Sequence, residues 1–328
     1  MFSFIFMFVI GWFPLLLLIF RANYILKHSD AYTMEQRFRL VKKFVRVCEV
    51  CTNTAPRIYG LENLPPDDAG GYLLIANHQG KYDALAVMRA MPSPLGVLME
   101  THQSDKPGVK QVMSLLDGEH IDLAHPRQQL RIIRSMGEKV RDGARFLVFP
   151  EGGYDGNRNS IQNFHNGCFF SAYLARCPIV PVLLVDTHRS MNRNNIFARV
   201  HPEVHFLPPI PYDAYKDLSR EETTQMVRRQ LIDAMTVRLA ARGETYLAWD
   251  KDAPMPPAAR KAYEAELRAK AAKARESDIS RSLTGALPSI MTVPARGGDE
   301  TAGTADKQSP KDTENRNATA KIRCRVLY

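Results

Sequence analysis

The sequence predicts an α/β fold: one domain with a central mixed sheet covered by helices, an N-terminal membrane-anchoring helix and a disordered C-terminal tail. Three observations carry this. From about residue 60 to 210, short apolar runs alternate with longer amphipathic stretches, the pattern of strands and helices taking turns along one chain. The composition, 45% hydrophobic and 24% charged over 328 residues, supplies a core for such a domain. No internal repeat is visible that would suggest a solenoid instead.

The first element is the run Met1 to Phe20, which contains no charged residue and is closed by Arg21. About twenty helical residues at ~1.5 Å each span roughly 30 Å, a bilayer's hydrocarbon thickness. The run lacks the basic start and small-x-small cleavage site of a signal peptide, so it reads as a retained anchor over 1–21. Gly11 and Pro14 could kink the helix and leave a re-entrant or interfacial segment as the alternative. Arg21, Lys27, Arg37, Arg39, Lys42, Lys43 and Arg46 all follow the run and none precedes it. By the positive-inside rule the main domain, 22–250, then faces the cytoplasm.

A second helix starts near Thr33, where Thr33 and Gln36 form a capping-box pattern. Phe38, Val41, Phe44, Val45 and Cys48 recur at helical spacing between basic residues, which suits packing on the domain or lying on a membrane surface. Strands are expected at 72–76, 95–99, 145–149, 179–185 and 199–206. Helices are expected at 83–91, 107–116, 127–142, 163–175 and 219–241. After Asp252 the prolines Pro254, Pro256 and Pro257 break the chain. An Ala/Lys/Arg/Glu-rich stretch to about 276 could form a solvated helix, and 277–323, poor in aromatics, reads as disordered. Residues 251–328 are thus a helical, then disordered tail.

The net charge of +9 points to an anionic partner. The basic residues are spread out rather than striped with aromatics, so nucleic acid is not the expected one. Cys48 and Cys51 form a CxxC, but no second ligand pair follows to complete a zinc site. Beside Phe44 and Val45 on one helical face, they read as small core residues. Five cysteines imply no disulfide framework.

Two segments carry chemistry. His78 and Asp83 stand five positions apart, directly after the apolar run Tyr72–Ala76. A histidine at a strand end with an acid behind it can take a proton from a hydroxyl, the acid fixing the ring tautomer. The second segment, Phe149-Pro150-Glu151-Gly152-Gly153, puts a carboxylate and two flexible residues at the carboxyl end of another strand, where α/β folds bind ligands. Arg158 follows and could clamp a phosphate. Pro178-Ile179-Val180-Pro181-Val182 reads as a buried strand entered through proline.

In order and spacing these pieces resemble the glycerolipid acyltransferase family, typified by 1-acylglycerol-3-phosphate acyltransferase. The carriers are Asn77 to Asp83 as a His-x4-Asp motif, Phe149-Pro150-Glu151-Gly152 as an FPEG motif, Arg158, Phe164 to Ala172, and Pro178 to Val182. The resemblance covers about residues 55 to 215. It implies transfer of a fatty acyl group from acyl-CoA or acyl carrier protein to a lyso-glycerolipid hydroxyl, with His78 as base and Asp83 as its orienting partner. Glu151, Gly152 and Arg158 would hold the acceptor's glycerol-phosphate part. No cofactor or metal is implied. The partners would be a membrane lipid acceptor, the acyl donor and the bilayer.

Departures from the family bear on the acceptor. Gly118-Glu119-His120-Ile121-Asp122 is followed by Leu123 where an arginine is usual, Leu98-Met99-Glu100 lacks a lysine, and Gly153 stands where Thr or Ser is common. Lysophosphatidate is the expected acceptor. Another lysophospholipid or an aminoacyl lipid, or a non-catalytic membrane scaffold on the same fold, are the alternatives.

Overall fold

Residues 2–122, 124–191 and 198–248 are described by a computed structural model of the chain, residues 2–12 as backbone only. The expected tail, 251–328, lies outside the described residues. Helix α1 (Phe2–Lys27) includes Pro14 and runs past residue 21 without a break. Its later part is seated on the domain: Ala22 and Ile25 are buried, and Leu15, Leu18, Ile19 and Leu26 pack against the same core. The opposite face is a row of exposed apolar side chains, Phe13, Leu16, Leu17, Phe20 and Tyr24, with Phe20 69% exposed. Among the described residues no helix is long and apolar enough to cross a membrane.

Helix α2 (Met34–Cys51) starts at the expected capping box. The Gln36 N–H donates to Thr33 Oγ1 and the Thr33 N–H to Gln36 Oε1, satisfying two donors that a helix start otherwise leaves open. Phe38, Val41, Phe44 and Val45 turn inward, while Arg39, Lys43 and Arg46 stay exposed. α2 therefore packs on the domain; Cys48 and Cys51 are half-buried at its end rather than core residues, and burial pushes the Cys48 thiol up to about 11, away from reactivity.

The remaining elements follow in chain order: β1 (Arg57–Tyr59), β2 (Tyr72–Ala76), α3 (Asp83–Ala90), β3 (Gly96–Glu100), α4 (Thr101–Ser104) and α5 (Val109–Leu115). Next come β4 (Glu119–Ile121), α6 (Pro126–Arg141), β5 (Arg145–Val148), α7 (Phe170–Ala175), β6 (Ile179–Val185), β7 (Glu203–Phe206) and α8 (Arg220–Ala240). Seven strands form one mixed sheet in the order β1-β7-β6-β2-β5-β3-β4. All neighbouring pairs are parallel except β6 with β7, which is antiparallel. The carboxyl ends of β2, β5 and β6 thus share an edge with the amino ends of β7 and β1.

Side chains alternate across the central strands, as period-2 geometry requires. Leu74 and Ala76 of β2 face a core made with α1, α2, α3 and α5, while Leu73 and Ile75 face one made with α6, α7 and α8. β2 is buried along its whole length, which is why it reads as a continuous apolar run rather than an alternating one.

The structure departs from the sequence expectation at several elements, among them the short helix α4, which was not expected. The strand expected at 199–206 is ordered as a strand only from Glu203, because Pro202 has no N–H to offer a ladder; Val200 makes an isolated bridge to Thr54. The helix expected at 163–175 begins as a 3-10 turn at Asn166–Phe169 and becomes α-helical only at Phe170. β1 and β4 were not expected: each is three residues long, and β4 carries Glu119 and His120 in place of an apolar run.

Candidate active site

His78 and Asp83 meet at the carboxyl end of β2. The chain leaves the strand through Asn77, whose side chain is locked to β6: Asn77 Nδ2 donates to the Leu184 carbonyl at 3.0 Å, and the Leu184 N–H donates to Asn77 Oδ1 at 2.8 Å. The turn His78 to Tyr82 then delivers Asp83 as the first residue of α3, fully buried. Its Oδ2 accepts from the backbone N–H groups of Gln79 and Gly80 and lies 2.7 Å from His78 Nδ1. Since a carboxylate only accepts, Nδ1 carries the hydrogen and Nε2 is left with a free lone pair. The His78 ring is stacked on Phe149 at 4.4 Å and met edge-on by Tyr154 at 4.8 Å. Its side chain is 19% exposed, and no hydrogen-bond partner meets Nε2 among the described residues. This arrangement can accept a proton from a hydroxyl that approaches from solvent.

Glu151, at the end of the loop entered from β5, is brought into the same site with its carboxylate turned inward. Oε1 accepts from the His78 N–H at 2.9 Å; Oε2 accepts from Gln162 Nε2 at 2.9 Å and from Asn157 Nδ2 at 3.4 Å. Asn157 Nδ2 also donates to the His78 carbonyl at 2.9 Å. Burial, aided by the Asp83 charge and opposed by hydrogen bonds from His78 and Gln162, pushes the Glu151 carboxyl up to about 8. Oε1 therefore holds the His78 backbone, while Oε2 is taken up by the loop amides Gln162 and Asn157. Gly152, adjacent, has φ +68°, and a Cβ there would stand 3.2 Å from the His165 ring, so this turn suits glycine on two counts. Arg158 is exposed on the following loop, itself at φ +52°, and its charge acts on His188.

Several groups in this cluster were not singled out in the sequence. Gln79 is buried, and its Oε1 accepts from the N–H and hydroxyl of Thr187, each at 3.0 Å. Its Nε2 donates to Asn159 Oδ1 at 3.0 Å. His188 lies over this loop, its pKa lowered chiefly by burial. Amides such as Gln79, Asn157, Asn159 and Gln162 carry no positional signal in one sequence; only the fold shows that they converge. Phe149 and Tyr154 sit within reach of the recognised segment, where their neighbourhood to His78 could have been suspected.

Residues 55–185, which include His78, Asp83, Glu151, Gly152 and Arg158, match the Acyltransferase family. This region is an acyltransferase-family domain. A 1-acyl-sn-glycerol-3-phosphate acyltransferase of Chlamydomonas reinhardtii is 30% identical over 156 residues, 45% of this chain and 45% of that protein. A probable enzyme of the same name from Mycoplasma pneumoniae is 29% identical, covering 48% of this chain and 59% of that protein. The corresponding protein of Saccharomyces cerevisiae is 26% identical over 58% of this chain and 63% of its own length. The chain spans about half the length of the curated relatives it matches. The acyltransferase domain also shares its fold with the crystal structure of the 1-acyl-sn-glycerophosphate acyltransferase from Thermotoga maritima. The TM-score is 0.56 at 20% identity, covering 73% of this chain and 96% of that one.

Proposed function

We propose that this chain moves a fatty acyl group from a thioester donor, acyl-CoA or acyl carrier protein, to the free hydroxyl of 1-acylglycerol-3-phosphate. The observation that carries the proposal is the 2.7 Å contact of His78 Nδ1 with buried Asp83, which leaves Nε2 open to solvent within an acyltransferase-family domain. The names of the relatives supply the acceptor.

In the reaction, His78 Nε2 takes the hydroxyl proton as the oxygen attacks the thioester carbonyl. The C–O bond forms, the tetrahedral centre collapses, the C–S bond breaks, and the imidazolium returns the proton to the departing thiolate sulfur. Products are the diacyl lipid and a free thiol. A thioester is already activated, so no covalent enzyme intermediate is required. Asp83 stabilises the imidazolium and keeps Nε2 pointed outward. Glu151 acts as a positioning residue through the His78 N–H, Gly152 shapes the turn, and Arg158 offers a cation to the acceptor's phosphate.

The acyl acceptor reaches the site from a bilayer, and α1 provides the attachment. The exposed row Phe13, Leu16, Leu17, Phe20 and Tyr24 supports an apolar face dipping into the membrane on the cytoplasmic side, the basic residues after it meeting lipid headgroups. Because Leu15, Leu18 and Ile19 belong to the domain's core, the informative variant is Leu16→Ser/Leu17→Ser/Phe20→Ser rather than a deletion. It should shift the chain from membrane to soluble fraction; unchanged partition would remove α1 from this role.

The catalytic proposal is tested with purified protein in detergent, an acyl-CoA donor and a panel of lyso-lipids, beside His78→Ala. Acylation of 1-acylglycerol-3-phosphate that the variant loses is the expected result. Equal transfer by the variant overturns the mechanism, and activity confined to acceptors without a phosphomonoester overturns the acceptor.

A further inference from the structure

Beside the His78 site, at the same edge of the sheet, lies a second cluster that takes no part in the proton transfer at His78. A cleft of about 390 Å³ opens where β1 and β7 begin and β6 ends, lined by Arg57, Arg189, Arg199, Arg238 and Arg242 around two acids, Asp186 and Glu203. His201 also lines it, its Nδ1 turned to the Ala55 carbonyl at 3.0 Å.

The acids are committed to framing the cleft. Glu203, with a side chain only 2% exposed, accepts from Arg238 Nε and Nη2, each at 2.6 Å, and from Arg242 Nη2. His205 Nε2 lies 2.8 Å from the same carboxylate on its other side. Asp186 accepts from Arg242 Nη1 at 2.8 Å, with Arg189 3.5 Å away. Arg238 and Arg242 are thereby fixed in place, which removes the ordering cost that flexible cations bring to a ligand. Arg57 and Arg199, both exposed on the rim, have no ion-pair partner among the described residues. Five guanidinium groups against two carboxylates leave the cleft cationic after its internal pairs are made. Planar donors in excess, two of them preset, match the oxygens of a phosphate group.

The register places this cleft relative to the reacting atoms. Glu203 pairs with Val185 on β6 and with Arg57 on β1, and β6 lies beside β2, which ends at the catalytic turn. Three strand spacings of ~4.8 Å put Arg57 roughly 14 Å along the edge from His78. A hydrogen-bonded chain joins the two: Gln79 donates to Asn159, Asn159 Nδ2 donates to Asp186 at 2.9 Å, and Asp186 receives Arg242.

We propose that this cleft is a binding site for a phosphate-bearing ligand, distinct from the acceptor hydroxyl's position at His78. Two sources have that chemistry. One is the acyl donor, whose phosphates would be anchored here while a long arm carries its thioester along the edge to His78; this source rests on the acyl-transfer reading. The other is the headgroup phosphate of an anionic membrane lipid.

The test uses the full chain and Arg57→Gln/Arg199→Gln, which removes two exposed cations and no internal pair. Inorganic pyrophosphate and coenzyme A are titrated calorimetrically, and vesicles of phosphatidylglycerol or phosphatidylcholine are co-sedimented. The double variant is expected to bind pyrophosphate at least about tenfold more weakly with an unchanged melting temperature, and added salt should weaken the wild type more. A parallel loss for coenzyme A assigns the donor; a loss confined to phosphatidylglycerol vesicles assigns the headgroup. Equal binding of all probes by both proteins, or no binding by the wild type, overturns the site. None of these readouts needs turnover. A chain that acylates no acceptor yet loses pyrophosphate affinity in the variant would refute the reaction and keep the site.

Discussion

Two glutamates stand at one edge of the sheet, both buried, and their surroundings drive them in opposite directions. Glu151 is held by a backbone N–H and two side-chain amides, and burial pushes its carboxyl up to about 8. Glu203 is opposed by burial too, but donation from Arg238, His205 and Arg242 outweighs it and brings its carboxyl down to about 2. Amides satisfy hydrogen-bond geometry without compensating charge; guanidiniums do both. The first environment suits a loop that holds the His78 backbone in place. The second suits a cleft that offers cations to solvent.

The largest effects are expected at the residues beside Glu151 rather than at the cleft. Taking away the base, His78→Ala should lower acyl transfer by about a thousandfold or more, measured as initial rate with saturating donor. The Asp83→Asn variant keeps size but turns the ring toward the wrong tautomer, and a loss of about a hundredfold in kcat with little change in KM is expected. A variant of either position that kept full rate would break the assignment of the loop as the catalytic half of the pair.

The meeting of His78 with Asp83 was legible in the sequence and the cationic cleft was not, for physical reasons. Tyr72–Ala76 and Ile179–Val185 lie where periodicity put them, because strands buried on both faces are unbroken apolar runs. His78 and Asp83 are close in sequence, so their meeting depends on one turn. The cleft draws on Arg57, Asp186, Glu203 and Arg242, which are brought together only by pairings such as β1 with β7. No local pattern announces that. Glu151 was legible as a site residue, yet the direction of its carboxyl was not, since its partners Asn157 and Gln162 look like ordinary loop amides.

Stability gives the next comparison. Glu203 has a folded pKa below its usual 4.5, so its contribution is present above that value and is lost as pH falls toward 2. The Glu203→Gln variant should lose about 2 kcal/mol at pH 7, less than the ~3 kcal/mol of the full shift because solvent reaches the arginines; chemical denaturation measures it. The difference from wild type should vanish near pH 2.

For Glu151 the sign is reversed. A carboxyl with a raised folded pKa holds its proton when folded, so its contribution is fully present below 4.5 and is lost as pH rises through about 8. The Glu151→Gln variant, neutral throughout, should flatten the decline in stability across that window. An unchanged slope would mean that the carboxyl does not retain its proton, and the contrast between the two acids would fail.

The pairing of β1 with β7 also bears on how the molecule comes into being. Arg57 emerges from the ribosome nearly two hundred residues before Arg242, and their shared edge cannot close until β7 and α8 have been synthesised. His78 and Asp83, by contrast, are neighbours from the start. During synthesis the base–acid turn can form while the cationic cleft is still missing most of its wall, so phosphate binding there would report that the domain's last elements have docked.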